Sequence, residues 1–386
     1  MSELLNGRWA ETKEALLEGL SGTKKSVMGV TLENTRKYLV ESPTAGATSA
    51  GNVATLNRVI LPVIRRVMPT VIANELVGVQ PMTGPVGQIH TLRVRYADSA
   101  TGVTAGEEAL SPFKIAEAYS GNDASPAKAA STATLEGAAG KRMSIQILKQ
   151  TVEAKTRKLS ARWTFEAAQD AQAQQGIDIE AEVMAALAQE ITAEIDQEIL
   201  ASLGSLAGTA VEAYDQNAVS GTATFVGDEH AALAVQINRV ANLIAQRTRR
   251  GAGNWAVVSP FALTILQSAT TSAFARTTEG TFEAPTNTKF VGTLNNAMKV
   301  YVNTYAADTT DVLIGYKGAS ESDAAAFYCP YIPLMSSGVV LDPSTFEPVV
   351  SFMTRYGYVE LSNTASSLGN AADYLGKVSI ANVSFK

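Results

Sequence analysis

The longest regular pattern in the chain runs from Gly176 to Leu203. Val183, Leu187, Ile191, Ile195, Ile199 and Leu203 recur every four residues, and Met184 and Leu200 widen the stripe. This spacing predicts one long amphipathic helix, which would span roughly 40 Å at 1.5 Å per residue. Gly176 and Gly204 bracket it as breakers. A second helical pattern covers His230 to Arg250, with Leu233, Ile237, Val240, Leu243 and Ile244 as its stripe. Arg247, Arg249 and Arg250 close it, where cations suit the negative end of the helix dipole, and Gly251 and Gly253 follow.

Period-two patterns predict strands at Ile89 to Tyr96 and a strand pair within SIQILKQTVEAKTRKLSARWTF, Ser144 to Phe165. Asn254 to Pro260 reads as a buried strand, Phe261 to Ala269 as a helix, and Lys299 to Tyr305 with Asp311 to Tyr316 as two further strands. That order describes a compact α/β lobe. Phe327 to Lys386 reads mostly as strand and turn, and residues 1–41 as two mixed-charge helical pieces. Between these lie stretches that cannot bury much. Ser42 to Asn52 has the composition of a flexible linker. Ala97 to Gly140, rich in Ala, Gly, Ser and Thr, predicts a long exposed loop or hairpin tip, partly disordered in an isolated molecule.

Composition bounds the function. The 386 residues suggest two or three domains or one large elaborated one, and a 46% hydrophobic content suffices for a real core. A net charge of −6 argues against a protein that grips nucleic acid, because such binding draws on Lys and Arg against phosphate. The single cysteine, Cys329, excludes an intrachain disulfide and a Cys-based zinc site. His90 and His230 leave little room for a His-rich metal site or a triad, and an exposed hairpin position is the expectation for His90. No run approaches the roughly 20 apolar residues that cross a bilayer, and the N-terminus lacks a secretory h-region, so a cytoplasmic protein is expected.

The charges are segregated. Lys141, Arg142, Lys149, Lys155, Arg157, Lys158 and Arg162 face a single acid, Glu153, and then no Lys or Arg occurs from Trp163 through Asn238. A basic ribbon thus leads into an acidic helix, and each block repels itself unless opposite charge lies alongside. Two readings stay open: ribbon and helix neutralise each other within one molecule, or the ribbon of one copy lies on the helix region of the next.

Catalytic motifs are absent. Gly251 to Asn254 invites a phosphate-loop reading, but no Gly-Lys-Ser/Thr follows and the segment ends a helix instead of opening one. Gly-x-Ser-x-Gly, His-Glu-x-x-His and a calcium loop are likewise missing. Cys329, between an aromatic residue and a proline, reads as a small buried hydrophobe.

Five co-linear segments carry a resemblance. VIRRVMPTVIANELVGVQPMTGPVGQ, KTRKLSARWTFEAAQDAQAQQGID, RRGAGN, LIGYKGASESDAAAFYCPYIPL and FMTRYGY, spread over residues 55–360, resemble the major capsid proteins of T-even-like contractile-tailed bacteriophages and their cyanobacterial-phage relatives. The resemblance implies an α+β protein with the tailed-phage capsid fold: an axial lobe, a peripheral lobe carrying a long spine helix, an extended β-hairpin loop and an N-terminal arm. It divides the chain into residues 1–41, removed on maturation; 42–87, the arm and start of the peripheral lobe; 88–165, the extended loop; 166–230, the spine helix and its connection; 231–345, mainly axial lobe; and 346–386, strands returning to the peripheral lobe. The loop of one subunit would reach over its neighbour. An insertion domain has little space within residues 97–140.

The family's prohead protease favours a glutamate two residues after Leu or Ile, which implies a cut between Glu41 and Ser42; Leu16, Leu17 and Glu18 also fit. The expected subunit contacts are Lys149, Lys155, Arg157, Lys158 and Arg162 on the basic loop, and Glu182, Glu190, Glu194 and Glu198 on the acidic helix. The implied role is a shell protein forming hexamers around the phage genome, without catalysis, cofactor, metal, membrane or sequence-specific DNA contact. Implied partners are a pentameric vertex protein, a scaffolding protein, the prohead protease, the portal and decoration proteins, with assembly in the bacterial host cytoplasm and residence in the virion. The alternatives are the vertex protein itself, a nanocompartment shell and, from another class, an α/β enzyme.

Overall fold

The computed structural model describes residues 22–41, 72–107, 139–175, 178–219, 226–248, 250–269, 274–276, 289–295, 297–307, 311–321, 323–345, 347–361 and 371–383, with scattered positions between 9 and 17 and between 109 and 136. Besides short turns, these form α1 (Gly22–Glu41), β1 (Gly78–Val79), β2 (Val86–Tyr96), β3 (Met143–Glu153), β4 (Lys155–Arg162), α2 (Phe165–Gln175), α3 (Ile179–Leu206) and β5 (Glu212–Asp215). There follow α4 (Val226–Thr248), β6 (Trp255–Val258), α5 (Pro260–Ser268), β7 (Phe274–Arg276), β8 (Lys289–Leu294), β9 (Met298–Val302), β10 (Val312–Gly315), β11 (Ala326–Ser336), β12 (Val340–Leu341), β13 (Pro348–Glu360) and β14 (Leu375–Ala381). The chain divides into two units, one of Met1–Gly87, Thr151–Ala201 and Phe327–Val359, the other of Gln88–Gln150, Ser202–Ala326 and Glu360–Lys386.

In the first unit α3 buries the stripe read from the sequence: Met184, Leu187, Ile191, Ile195 and Ile199 are all buried. The Asp178 carboxylate accepts the Glu180 N–H at 3.0 Å, which satisfies one of the free donors of the first turn. Gly204 does not end the helix. A glycine inside a helix costs only about 1 kcal/mol, and the stop falls at Gly208, whose φ of +68° suits a residue without a side chain. Gly176, the expected opening breaker, lies outside the described residues.

The sheet of this unit runs β1-β11-β13-β12, with β4 also paired to β13. β4 and β13 are antiparallel over eight pairs, from Val349 opposite Arg162 to Tyr356 opposite Lys155. The expected loop of residues 88–165 therefore divides: β2 and β3 pair with each other, whereas β4 leaves them for β13. The ribbon closes at its base where the Ala154 N–H reaches the Pro85 carbonyl at 2.9 Å. Helix α1 is held in this unit. Met28 and Leu32 are buried, and Asn34 Nδ2 donates to the carbonyls of Met82 at 2.6 Å and Tyr331 at 3.1 Å.

The second unit is built on a sheet ordered β5-β14-β10-β6-β9-β8-β7, in which β6 with β9 and β14 with β5 are parallel. Helix α4 packs Leu233, Ile237, Val240 and Ile244 against Val258, Ile314 and Val378. Ser259 caps α5 by accepting the Ala262 N–H, with Pro260 at its first position. Two of the sequence motifs form one corner here. Asn254 Nδ2 donates to the Lys317 carbonyl at 2.6 Å while the Lys317 N–H returns to Asn254 Oδ1 at 3.0 Å. A Cβ on Gly315 would come within 2.1 Å of the Trp255 ring, so only glycine fits beneath that indole. The mixture of mainly antiparallel strands with helices makes the protein α+β.

Two assignments of the chain differ from expectation. β11 lies in the first unit, apart from most of residues 231–345, and β14 lies in the second, between β10 and β5 and apart from β13. The stretch 97–140 also holds more than a bare loop. Tyr96, Val103, Ala109 and Tyr119 are buried in a small cluster, with the two tyrosine rings 4.6 Å apart. The Tyr119 hydroxyl donates to the Arg142 carbonyl, and Asp98 accepts the Arg142 N–H at 2.8 Å.

Candidate functional site: the basic ribbon and the acidic helix

β4 is two-faced. Arg157, Leu159 and Ala161 are half-buried, while Thr156, Lys158, Ser160 and Arg162 are exposed. On the half-buried face the Arg157 guanidinium fans into three acceptors. One terminal nitrogen reaches Glu194 and the other Glu198, each at 2.5 Å, and Nε donates to the Tyr356 hydroxyl at 2.6 Å. The Tyr356 hydroxyl in turn donates to Glu198. Only arginine offers donors in such a planar fork.

The electrostatics agree with the geometry. Burial opposes ionisation of Glu198, but the Arg157 and Tyr356 donors outweigh it and hold the carboxyl below its ordinary range. Burial also opposes the Arg157 charge, and Glu198 and Tyr356 more than compensate, so its pKa is raised. The Tyr356 phenol is pushed up, first by burial and then by Glu198. The cluster therefore sets a neutral phenol between the Arg157 cation and the ionised Glu198 carboxylate.

For these three residues, ribbon and helix neutralise each other inside one molecule. Arg157, Glu194 and Glu198, expected as subunit contacts, pair within their own chain. Arg162 approaches Glu347 at 3.7 Å. Lys149, Lys155 and Lys158 are exposed and make no salt bridge among the described residues, and the same holds for Glu182 and Glu190. Glu41 is the last residue of α1; its side chain, and Ser42 altogether, lie outside the described residues.

One set of contact candidates went unread in the sequence. Met143, Ile145 and Ile147, on alternate positions and hence one face of β3, are 53%, 68% and 66% exposed. Their signal is the alternation Met-Ser-Ile-Gln-Ile itself, which marks a strand with an apolar face but not what covers it. The other singled-out residues are quiet. His90 is exposed, and His230 is buried with Nδ1 2.5 Å from Ser268 Oγ, burial lowering its pKa. Burial pushes the Cys329 thiol up to about 12, so it stays protonated at neutral pH. Gly251 to Asn254 joins the end of α4 to the start of β6.

A family model described as "Major capsid protein Gp23" matches residues 53–139 and 117–380 of the chain. The major capsid protein of Vibrio phage KVP40 is 30% identical, over 85% of this chain and 81% of that protein. The major capsid protein of Enterobacteria phage T4 is also 30% identical, over 83% of this chain and 78% of that one. Among solved structures, the capsid of Myoviridae phage XM1 aligns with a TM-score of 0.46 at 11% identity, over 81% of this chain and 92% of that one, a likeness too slight to carry an argument.

Proposed function

Because the chain belongs to the Gp23 family of major capsid proteins, and so is a structural protein of the icosahedral head shell of a T4-like phage, we propose that it assembles as hexamers through its basic ribbon. The observation that carries this reading is the ribbon's unsatisfied surface. Lys149, Lys155 and Lys158 stand exposed without a salt bridge among the described residues, and Lys149 follows three exposed apolar side chains of β3 that nothing among the described residues covers. A soluble monomer rarely shows such a stripe without a partner. Weak single contacts suffice, since a subunit with several neighbours gains from all of them at once.

In this reading the unit with α3 serves as the peripheral lobe, the unit with the β5–β14 sheet as the axial lobe, and β2–β3 as the loop reaching a neighbour. Residues 1–41 are cut off between Glu41 and Ser42 by a prohead protease. A scaffolding protein, a portal, vertex pentamers and decoration proteins complete the head. Assembly takes place in the host cytoplasm, and the shell encloses DNA without reading its sequence. Electron microscopy of the full chain at rising concentration is expected to show rings, sheets or shells, and chains taken from mature particles should begin at Ser42. A dispersed monomer at every concentration would overturn the assembly reading; a particle-derived chain still beginning at Met1 would overturn the processing.

A further inference from the structure

The ribbon needs a receiving surface, and the acidic helix is poorly suited to be one. Glu194 and Glu198 are already engaged by Arg157. Around Glu182 and Glu190 the outer face of α3 offers Ala181, Ala185, Ala186 and Gln189, with no large apolar group for a row of isoleucines. The described residues hold a second dense group of exposed apolar side chains, at the start of the β12–β13 hairpin. Val339, Val340 and Leu341 are 41%, 56% and 45% exposed. Elsewhere the exposed large apolar residues stand apart from one another along the chain.

The flanking charges are of opposite sign. Next to Met143, Ile145 and Ile147 come Lys141, Arg142 and Lys149. Next to Val339–Leu341 come Asp342 and Glu347, set across the hairpin from each other by the Asp342 N–H to Glu347 carbonyl bond of 2.9 Å. Asp342 accepts both the N–H and the hydroxyl of Ser344, and these donors hold its carboxyl below the ordinary range, so it stays charged. Glu347 touches Arg162 only at 3.7 Å, a pair worth little on the surface.

We infer that the apolar stripe of β3 in one copy docks on the Val339–Leu341 hairpin of the next copy, with Lys149 meeting Asp342 and Glu347. The inference rests on the shell reading and names its contact. The two surfaces are different parts of the chain, so the contact is heterologous: each copy gives a stripe and receives one, which closes rings when the rotation allows. Apolar burial supplies the hold, and complementary charge supplies register and approach.

The test uses two full-chain variants, Ile145→Cys and Val340→Cys, made separately; the native Cys329 is only 2% exposed and does not compete. The two are mixed and oxidised where the wild-type chain assembles. A disulfide-linked two-chain species is expected from the mixture and from neither variant alone, and the double variant should give a ladder of linked copies. Assemblies that form without that mixed link, or Ile145→Cys linking to itself, would overturn the inference while leaving the shell reading in place. Failure of the wild type to assemble at all would overturn both. As a second measurement, Ile145→Ser with Ile147→Ser, at exposed sites that do not burden the fold, should raise the assembly concentration by about tenfold or more. Leu135→Ser, also exposed but isolated, should leave it unchanged; equal thresholds for the two would count against the contact.

Discussion

Asp196 lies on the buried face of α3, 1% exposed, with Oδ1 accepting the Ile72 N–H at 2.9 Å and Oδ2 without a hydrogen bond among the described residues. Burial lifts its pKa to about 7, against a partial lowering by the Ile72 N–H. The unfolded carboxyl keeps an ordinary value near 3.9. Between those values the folded state holds the extra proton, so stability contributed by the protonated form is present at low pH and is lost as pH rises toward 7. Asp196→Asn keeps the acceptor for Ile72 and removes the charge. It should therefore raise stability by only about 1–2 kcal/mol at pH 5 and by about 4 kcal/mol at pH 8, read by urea denaturation at both pH values. A variant equally shifted at both would show that the carboxyl is not the titrating group. Arg157 is the opposite case, a charge whose partners exceed its burial cost. Reversing it would strand Glu194 and Glu198, so any change meant to probe assembly alone must leave Arg157 in place.

At the scale of elements, α1 is bound by more than its sequence promises. Asn34 reaches two carbonyls far along the chain, those of Met82 and Tyr331, and both would lose a buried donor in Asn34→Ala. That change should cost about 1–3 kcal/mol in the full chain, measured as a lower urea midpoint at unchanged slope; an unaltered midpoint would mean α1 is held by its apolar face alone. What could be read beforehand follows from range. α3 and α4 were legible because a 3.6-residue stripe needs no information from elsewhere. β4 was legible as a strand but its partner was not, because its alternation fits any partner, and the one it takes, β13, lies nearly two hundred residues on. The same blindness applied to β14, whose place between β10 and β5 is fixed only by tertiary pairing. The tip cluster escaped notice because Tyr96 and Tyr119 stand alone in small-residue text, too sparse to announce a core. Ionic contacts were legible as charge blocks but not as pairs: the blocks indicated that something is neutralised, and only the register of β4 on β13 brings Arg157 to its partners.

For the whole molecule the question is which force closes the shell. The ribbon from Lys141 to Arg162 carries seven bases and one acid, and the next stretch, to Asn238, thirteen acids and no base. Within the chain Arg142, Arg157 and Arg162 have acidic partners and Lys141 lies over the Tyr119 ring; Lys149, Lys155 and Lys158 make no salt bridge among the described residues, and on the proposed reading they act between copies. Exposed pairs of this kind are worth about 0–1 kcal/mol each, whereas burying an isoleucine or methionine is worth roughly 1.5–3 kcal/mol. Three such side chains outweigh three lysines, so charge should govern how fast copies meet and apolar burial how firmly they stay. Lys155→Glu with Lys158→Glu is then expected to slow assembly several-fold at about 0.05 M NaCl and to match the wild type near 0.5 M, where the screening length has fallen to a few ångströms. The threshold concentration should move little with NaCl and fall in ammonium sulfate, which strengthens apolar burial. Light scattering during assembly separates rate from threshold. A threshold that climbed with NaCl as steeply as the rate fell would make the lysines the adhesive and leave the exposed face of β3 without its assigned role.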